Sequence, residues 1–246
     1  MKNITDHILH LADNNLILAQ RNAEWCAHGP VLEQDIAITN ITLDILGQAR
    51  LLFQHAASLL NLQKNGAVTE DTLAYLRTER EFKNILLVEQ PNGDWAHTIL
   101  RQYLFSQFQF LLYRQLEKHS DEQIAAIATK SLKEILYHVK WSSEWVLRLG
   151  DGTTESNARM RTAIDDFWMY TEEFFIPASY EYDLPLADIK KEWLIEVEKI
   201  FHEAGLPIPE NTFMQTGGKN GVHTEQLGYL LADLQYLQRT YPGAEW

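Results

Sequence analysis

The chain has 246 residues, 46% of them apolar and 11% aromatic, enough to bury the core of one large helical domain. Its 21 Lys and Arg face 34 Asp and Glu, and the formal charge of -13 argues against sequence-independent binding to nucleic acid and against an anionic membrane surface. Its one cysteine, Cys26, excludes an internal disulfide and a cysteine-based zinc site, so a cytoplasmic protein is expected.

The N-terminus, Met1-Lys2-Asn3-Ile4-Thr5-Asp6-His7, has no basic stretch followed by an apolar run, which predicts no signal peptide. No segment approaches the ~18 consecutive apolar residues of a membrane span. A first helix is predicted from Thr5 to about Ala27, ahead of Gly29-Pro30. A second covers roughly Leu32 to Leu62, with Ile38, Ile41, Ile45 and Leu52 as its buried stripe. A shorter helix starts near Thr69. Pro91-Asn92-Gly93 predicts a turn, and Asp94 is placed to cap a third long helix carrying Ile99, Tyr103, Phe108, Leu112 and Leu116. A fourth, about Asp121 to Leu149, has the cleanest period, with Ile124, Ala128, Ser131, Ile135, His138, Ser142, Trp145 and Leu149 at steps of three and four. Helices are predicted over about Ser156 to Phe175, Leu186 to Ala204 and Thr224 to Arg239. The aperiodic stretch from Gly205 to His223 is long for a compact domain and reads as a functional loop or docking segment. Short connections between four long helices imply an all-α antiparallel bundle: one domain over 1–246, with a core bundle at about 5–150 and C-terminal helices and docking loop at about 154–246.

Polar residues on apolar faces carry the functional signal. On a helical wheel, Asp44 and Gln48 fall beside Ile41 and Ile45, while Glu134 and His138 share the face of Ile127 and Ser131. Di-iron bundles place a Glu on each of two helices and Glu-x-x-His on each of the other two. The plain alternative is that an i,i+4 Glu–His pair bonds within its own helix. None of the nine histidines is preceded at three residues by Glu. The nearest match, Asp94-x-x-His97, sits at a helix start where Asp is explained as a cap. The third long helix has no Asp or Glu between Trp95 and Leu116. No Gly-x-Ser-x-Gly or His-Glu-x-x-His occurs, and Thr216-Gly217-Gly218-Lys219-Asn220-Gly221 departs from the phosphate-loop pattern, reading instead as a tight loop with positive φ. No catalytic, cofactor-binding or metal residue is therefore assigned. Glu134, His138 and Asp44 are expected to form a buried polar cluster with Gln48 or Asn15.

Several strings stand together in order: Glu24-Trp25-Cys26-Ala27-His28-Gly29-Pro30; Leu43-Asp44-Ile45-Leu46-Gly47-Gln48-Ala49-Arg50; Leu86-Leu87-Val88-Glu89-Gln90-Pro91-Asn92-Gly93; Lys133-Glu134 with Tyr137-His138; Arg148-Leu149-Gly150-Asp151-Gly152; Thr216-Gly217-Gly218-Lys219; His223-Thr224-Glu225; and Gln235-Tyr236-Leu237-Gln238-Arg239. The set resembles the structural, C-type subunit family of bacterial phenylacetyl-CoA epoxidases (ring 1,2-epoxidases of phenylacetate degradation). The resemblance implies a ferritin-like fold and a structural role, with no cofactor in this chain. It implies a homologous catalytic partner, the A-type subunit, that carries the diiron centre. It further implies a small B-type subunit and a reductase with flavin and iron–sulfur groups. It also implies a degenerate metal site. Asp44 and Gly47 stand where the second helix of the catalytic partner has Glu-x-x-His, Ile135 and His138 stand where its fourth helix has it, and Asn15 replaces a first-helix Glu. Two alternatives stay open: a diiron oxygenase with noncanonical ligands, and a free-standing helical binding protein.

Overall fold

The computed structural model describes residues 2–63, 67–181, 184–210 and 212–244. Among them there is no strand. The α-helices are α1 (Lys2–Ala23), α2 (Leu32–Gln63), α3 (Glu70–Tyr75), α4 (Leu86–Glu89), α5 (Trp95–Leu116), α6 (Glu122–Gly150), α7 (Thr154–Phe167), α8 (Leu186–Glu203), α9 (Glu225–Leu234) and α10 (Tyr236–Thr240), with short 3-10 turns between some of them. The chain divides into two compact units, one of residues 1–91, 178–181 and 217–246, the other of residues 92–177 and 182–216.

In the first unit α1 and α2 pack along one another, and α3, α4, α9 and α10 attach to them and to each other. The expected α2 stripe is present, for Ile38, Ile41, Ile45, Leu52 and Ala56 are all buried. Contrary to the expectation above, Leu32–Leu62 is long and apolar enough on average to match a membrane span. The buried stripe is one source of that hydropathy. A second is an outward row of exposed Leu32, Ile36, Leu43 and Leu46. Helix α1 stops at Ala23 rather than Ala27, because Trp25 and Cys26 make i to i+3 bonds to Asn22 and Ala23 and Ala27 takes a positive φ of 66°.

The second unit is built on α5 and α6, with α7 and α8 against both. Asp94 caps α5 as expected, its Oδ1 accepting the His97 N–H at 3.1 Å, and Asp121 caps α6 through the Gln123 and Ile124 N–H groups at 3.0 Å. Helix α5 is buried almost all round, including Arg101, Gln102, Ser106 and Gln109. Its packing on α8 is fixed by Trp193, whose Nε1–H donates to the Leu104 carbonyl at 3.0 Å. Gly150 lets the end of α6 touch the end of α8, since a Cβ there would lie 2.6 Å from the Ala204 carbonyl oxygen. The single helix expected over Ser156–Phe175 is instead α7 followed by two 3-10 turns. Thr171 Oγ1 donates back to the Trp168 carbonyl at 2.9 Å, and Trp168, Phe174 and Phe175 turn onto Trp193.

Candidate functional site

The sequence-predicted positions distribute as follows. Asn15 on α1 and Gln48 on α2 are buried, and Ile135 and His138 on α6 are wholly enclosed. Asp44 and Glu134 are half-buried rather than core groups, and Gly47 stands on the exposed side of α2 with no atom within 4 Å of a Cβ built there. The wheel places Asp44 at the margin of the α2 stripe, which explains its partial exposure. Among the described residues, no three His, Cys, Asp or Glu side chains group so as to hold a metal ion. The five positions assigned from the resemblance supply one carboxylate, one imidazole and one carboxamide. A di-iron centre draws on several carboxylates and two imidazoles, so this donor set does not fit one.

A buried ionic network lies elsewhere, within the first unit, and no sequence pattern points to it. Glu89 on α4 accepts from His223 Nδ1 at 2.8 Å, from the Thr224 N–H at 2.7 Å, from the Thr224 hydroxyl at 2.8 Å and from Asn84 Nδ2 at 2.8 Å. His223 Nε2 donates to the Phe82 carbonyl at 3.0 Å. Both ring nitrogens therefore face acceptors only, which calls for the imidazolium. Burial opposes that charge, but the bond to Glu89 and its charge outweigh it and hold the His223 pKa above its ordinary value.

The second half of the network joins α1 to residues 178–181 and 217–221. Lys219 Nζ donates to both Glu181 oxygens, at 2.9 and 3.2 Å, with both side chains almost wholly enclosed. Glu181 also accepts the Ala178 N–H at 2.9 Å, and Tyr180 Oη donates to the Lys219 carbonyl at 2.7 Å. Burial alone would raise the Glu181 pKa, but the Lys219 ammonium and the Ala178 N–H hold it below the ordinary carboxylate value. His10 takes the opposite state from His223. Its Nδ1–H donates to the Lys83 carbonyl at 2.7 Å, and its Nε2 receives Asn14 Nδ2 at 3.3 Å, the pattern of a neutral ring. Burial pushes its pKa down, against the nearby Glu181. Asp13, one turn from His10, accepts both amino groups of Arg77 and the Lys83 N–H.

The glycine-rich stretch is shaped by this packing. Gly217 and Gly221 adopt φ of 147° and 75°, as the sequence predicts, and a Cβ on Gly218 would collide with the Asn84 carbonyl. So the C-terminal part of the expected docking segment is pinned within its own unit. Glu89, Lys219 and His223 all lie in strings that carry the resemblance. Their partners are too distant in sequence for any helical period to reveal them.

In the second unit, Asp94 does more than cap. His97 Nδ1 lies 2.7 Å from Asp94 Oδ1 and His97 Nε2 lies 3.0 Å from Asp166 Oδ2, with Arg159 3.4 Å from Asp94. The capping bonds to His97 and the Arg159 charge hold the Asp94 pKa down despite its partial burial.

Chemically, these arrangements hold backbone in place. The Glu89, Glu181 and Asp13 carboxylates are spent on bonds inside their unit. The described residues form a helical scaffold held by buried ion pairs. The sequence profile of the family described as phenylacetic acid catabolic protein matches residues 1–246, and the chain belongs to that family. It is 44% identical, over 255 aligned residues covering 100% of both chains, to the C-type subunit of the 1,2-phenylacetyl-CoA epoxidase of Escherichia coli (strain K12).

Proposed function

We propose that this chain is a non-catalytic, structural subunit of a multicomponent phenylacetyl-CoA 1,2-epoxidase, working in the cytoplasm in aerobic phenylacetate degradation. It binds the homologous A-type subunit, which carries the diiron centre, and keeps it in active form. The small B-type subunit and a flavin and iron–sulfur reductase complete the system, and this chain holds no cofactor. The observation that carries this reading is the end-to-end similarity to the C-type subunit of an epoxidase. The donor set at Asn15, Asp44, Gly47, Ile135 and His138 supports it, because these positions offer one carboxylate where a diiron centre requires several. In this reading α1, α2, α5 and α6 are the core of one ferritin-like four-helix domain, and the later helices are additions. The exposed row of Leu32, Ile36, Leu43 and Leu46 on α2 is the apolar surface that the sister subunit covers.

Elemental analysis after anaerobic iron loading tests the reading. The purified chain is expected to retain no stoichiometric iron after desalting. Tight retention of near two irons per chain would return it to the oxygenases.

A further inference from the structure

Residues 92–177 and 182–216 interrupt the first unit, whose chain leaves after Pro91 and returns to stay at Gly217. Glu89 and His223 join the two sides of that interruption. Glu89 holds the returning chain with both oxygens. Oε2 takes the His223 ring, and Oε1 takes the N–H and the hydroxyl of Thr224. Thr224 is the N-cap of α9, yet its hydroxyl makes no capping bond inside the helix because it is used on Glu89. The first turn of α9 therefore lacks a cap of its own and relies on Glu89. A helix of ten residues is not stable without such support. The His223 ring fits this place only when charged. A neutral imidazole has one N–H, so one of its lone pairs would point at the Glu89 carboxylate or at the Phe82 carbonyl 3.0 Å away. The His223 side chain is only 4% exposed, which leaves bulk water little room to replace the missing donor.

We propose that His223 is a proton-operated latch: with its proton it holds the returning chain on α4, and without it residues 222–224 and the first turn of α9 come free. The groups around the ring set the direction. Burial opposes its charge, while Glu89 from α4 and Asp13 from α1 favour it, so the latch is closed below about pH 6.5 and opens as pH rises through the raised folded value. The other charged groups nearby are Arg21 and Arg77, Lys219, and Glu79, Arg80 and Glu225. Arg21 donates to the Glu89 carbonyl, Arg77 is bonded to Asp13, and Lys219 is paired with Glu181. Glu79, Arg80 and Glu225 line, with His223, a cavity of about 540 Å³, through which solvent base reaches the ring. The released stretch has two bounds. Before it, the turn at Lys219 stays anchored, because Glu181 binds the ammonium and Tyr180 binds the carbonyl. Gly221, at φ 75°, is the joint between anchored and released chain. After it, buried Leu227, Leu230 and Leu231 keep α9 seated, so the helix frays from its start. The latch does not depend on the subunit role proposed above.

Amide hydrogen exchange on the full chain tests the latch, with rates at each pH divided by those of the unstructured peptide. The reporters are the Thr224 amide, bonded to Glu89, and the Leu227 amide, bonded to the Thr224 carbonyl. Between pH 6 and 9 their protection should fall at least about tenfold, the worth of one hydrogen bond to a charged group. Protection along α5 should not change. His223→Gln has one donor group and one acceptor in place of two donors, so its reporters should be weakly protected already at pH 6 and insensitive to pH. His223→Lys keeps a charge throughout this range, so its reporters should also be insensitive to pH. Melting curves report whether each variant is folded, and either folded variant suffices beside the wild type. Constant protection in the wild type overturns the proposal. So does an equal fall along α5, which would mean that the whole protein loosens. A fall of the wild-type size in either folded variant would assign the titration to another group and overturn it as well.

Discussion

His10 and His223 lie in one compact unit in opposite protonation states, and this gives the stability of the protein a distinct pH profile. The His223 pKa is raised in the fold, so its contribution is complete below the unfolded value of about 6.5 and is lost as pH rises through the folded value. The His10 pKa is lowered, so its contribution is present above about 6.5 and is lost as pH falls towards the folded value. Urea unfolding of the wild type and of His223→Gln between pH 6 and 9 tests the first half. The variant should be the less stable at pH 6, and the gap should narrow as pH rises. A gap of constant size would mean that His223 is neutral in the fold. The Glu181–Lys219 pair is nearly solvent-free, and Glu181→Ala would strand a buried ammonium, which typically costs about 3–5 kcal/mol. A loss under about 1 kcal/mol in the same assay would place the pair at the surface. None of this was legible in the sequence. Glu89 and His223 are 134 residues apart, and each alone reads as an ordinary polar residue.

At the scale of elements, the sequence is far more informative. Helices α2, α5, α6 and α8 fall where the sequence places them, since apolar stripes mark α2, α6 and α8 and the Asp94 cap marks the start of α5. The misses have local causes. Four-residue α4 is too short to show a period. The last helix breaks at Gln235, whose buried side chain donates to the Ala74 and Arg77 carbonyls, a tertiary demand invisible in a helical wheel. Two glycines distinguish a packed element from an open one. Gly218→Ala would drive a Cβ into the Asn84 carbonyl and should destabilise by about 1–3 kcal/mol, the range of overpacked sites. Gly47→Ala adds a methyl in open space within a helix and should stabilise by about 0.5–1 kcal/mol. Thermal melts of the two variants should move in opposite directions, and a shared direction would contradict this placement of the glycines.

At the scale of the whole molecule, the family was legible from strings spread along the chain, and full-length similarity bears it out. The depth of the predicted polar positions was less so. Wheel angles identify a buried face but do not measure depth, and Asp44 and Glu134 turn out half-exposed. The membrane-like hydropathy of α2 has a related cause, since one helix carries both an inward stripe and an outward row of leucines. The central claim is that this chain is required for epoxidation without performing it. The direct measurement is turnover of phenylacetyl-CoA by the sister diiron subunit and its reductase, with and without this chain, and with its Glu134→Ala variant. The account predicts weak turnover by the sister subunit alone, restoration on adding this chain, and the same turnover per assembled complex with the variant. Loss of turnover in an intact complex carrying Glu134→Ala would make the residue catalytic and contradict the account.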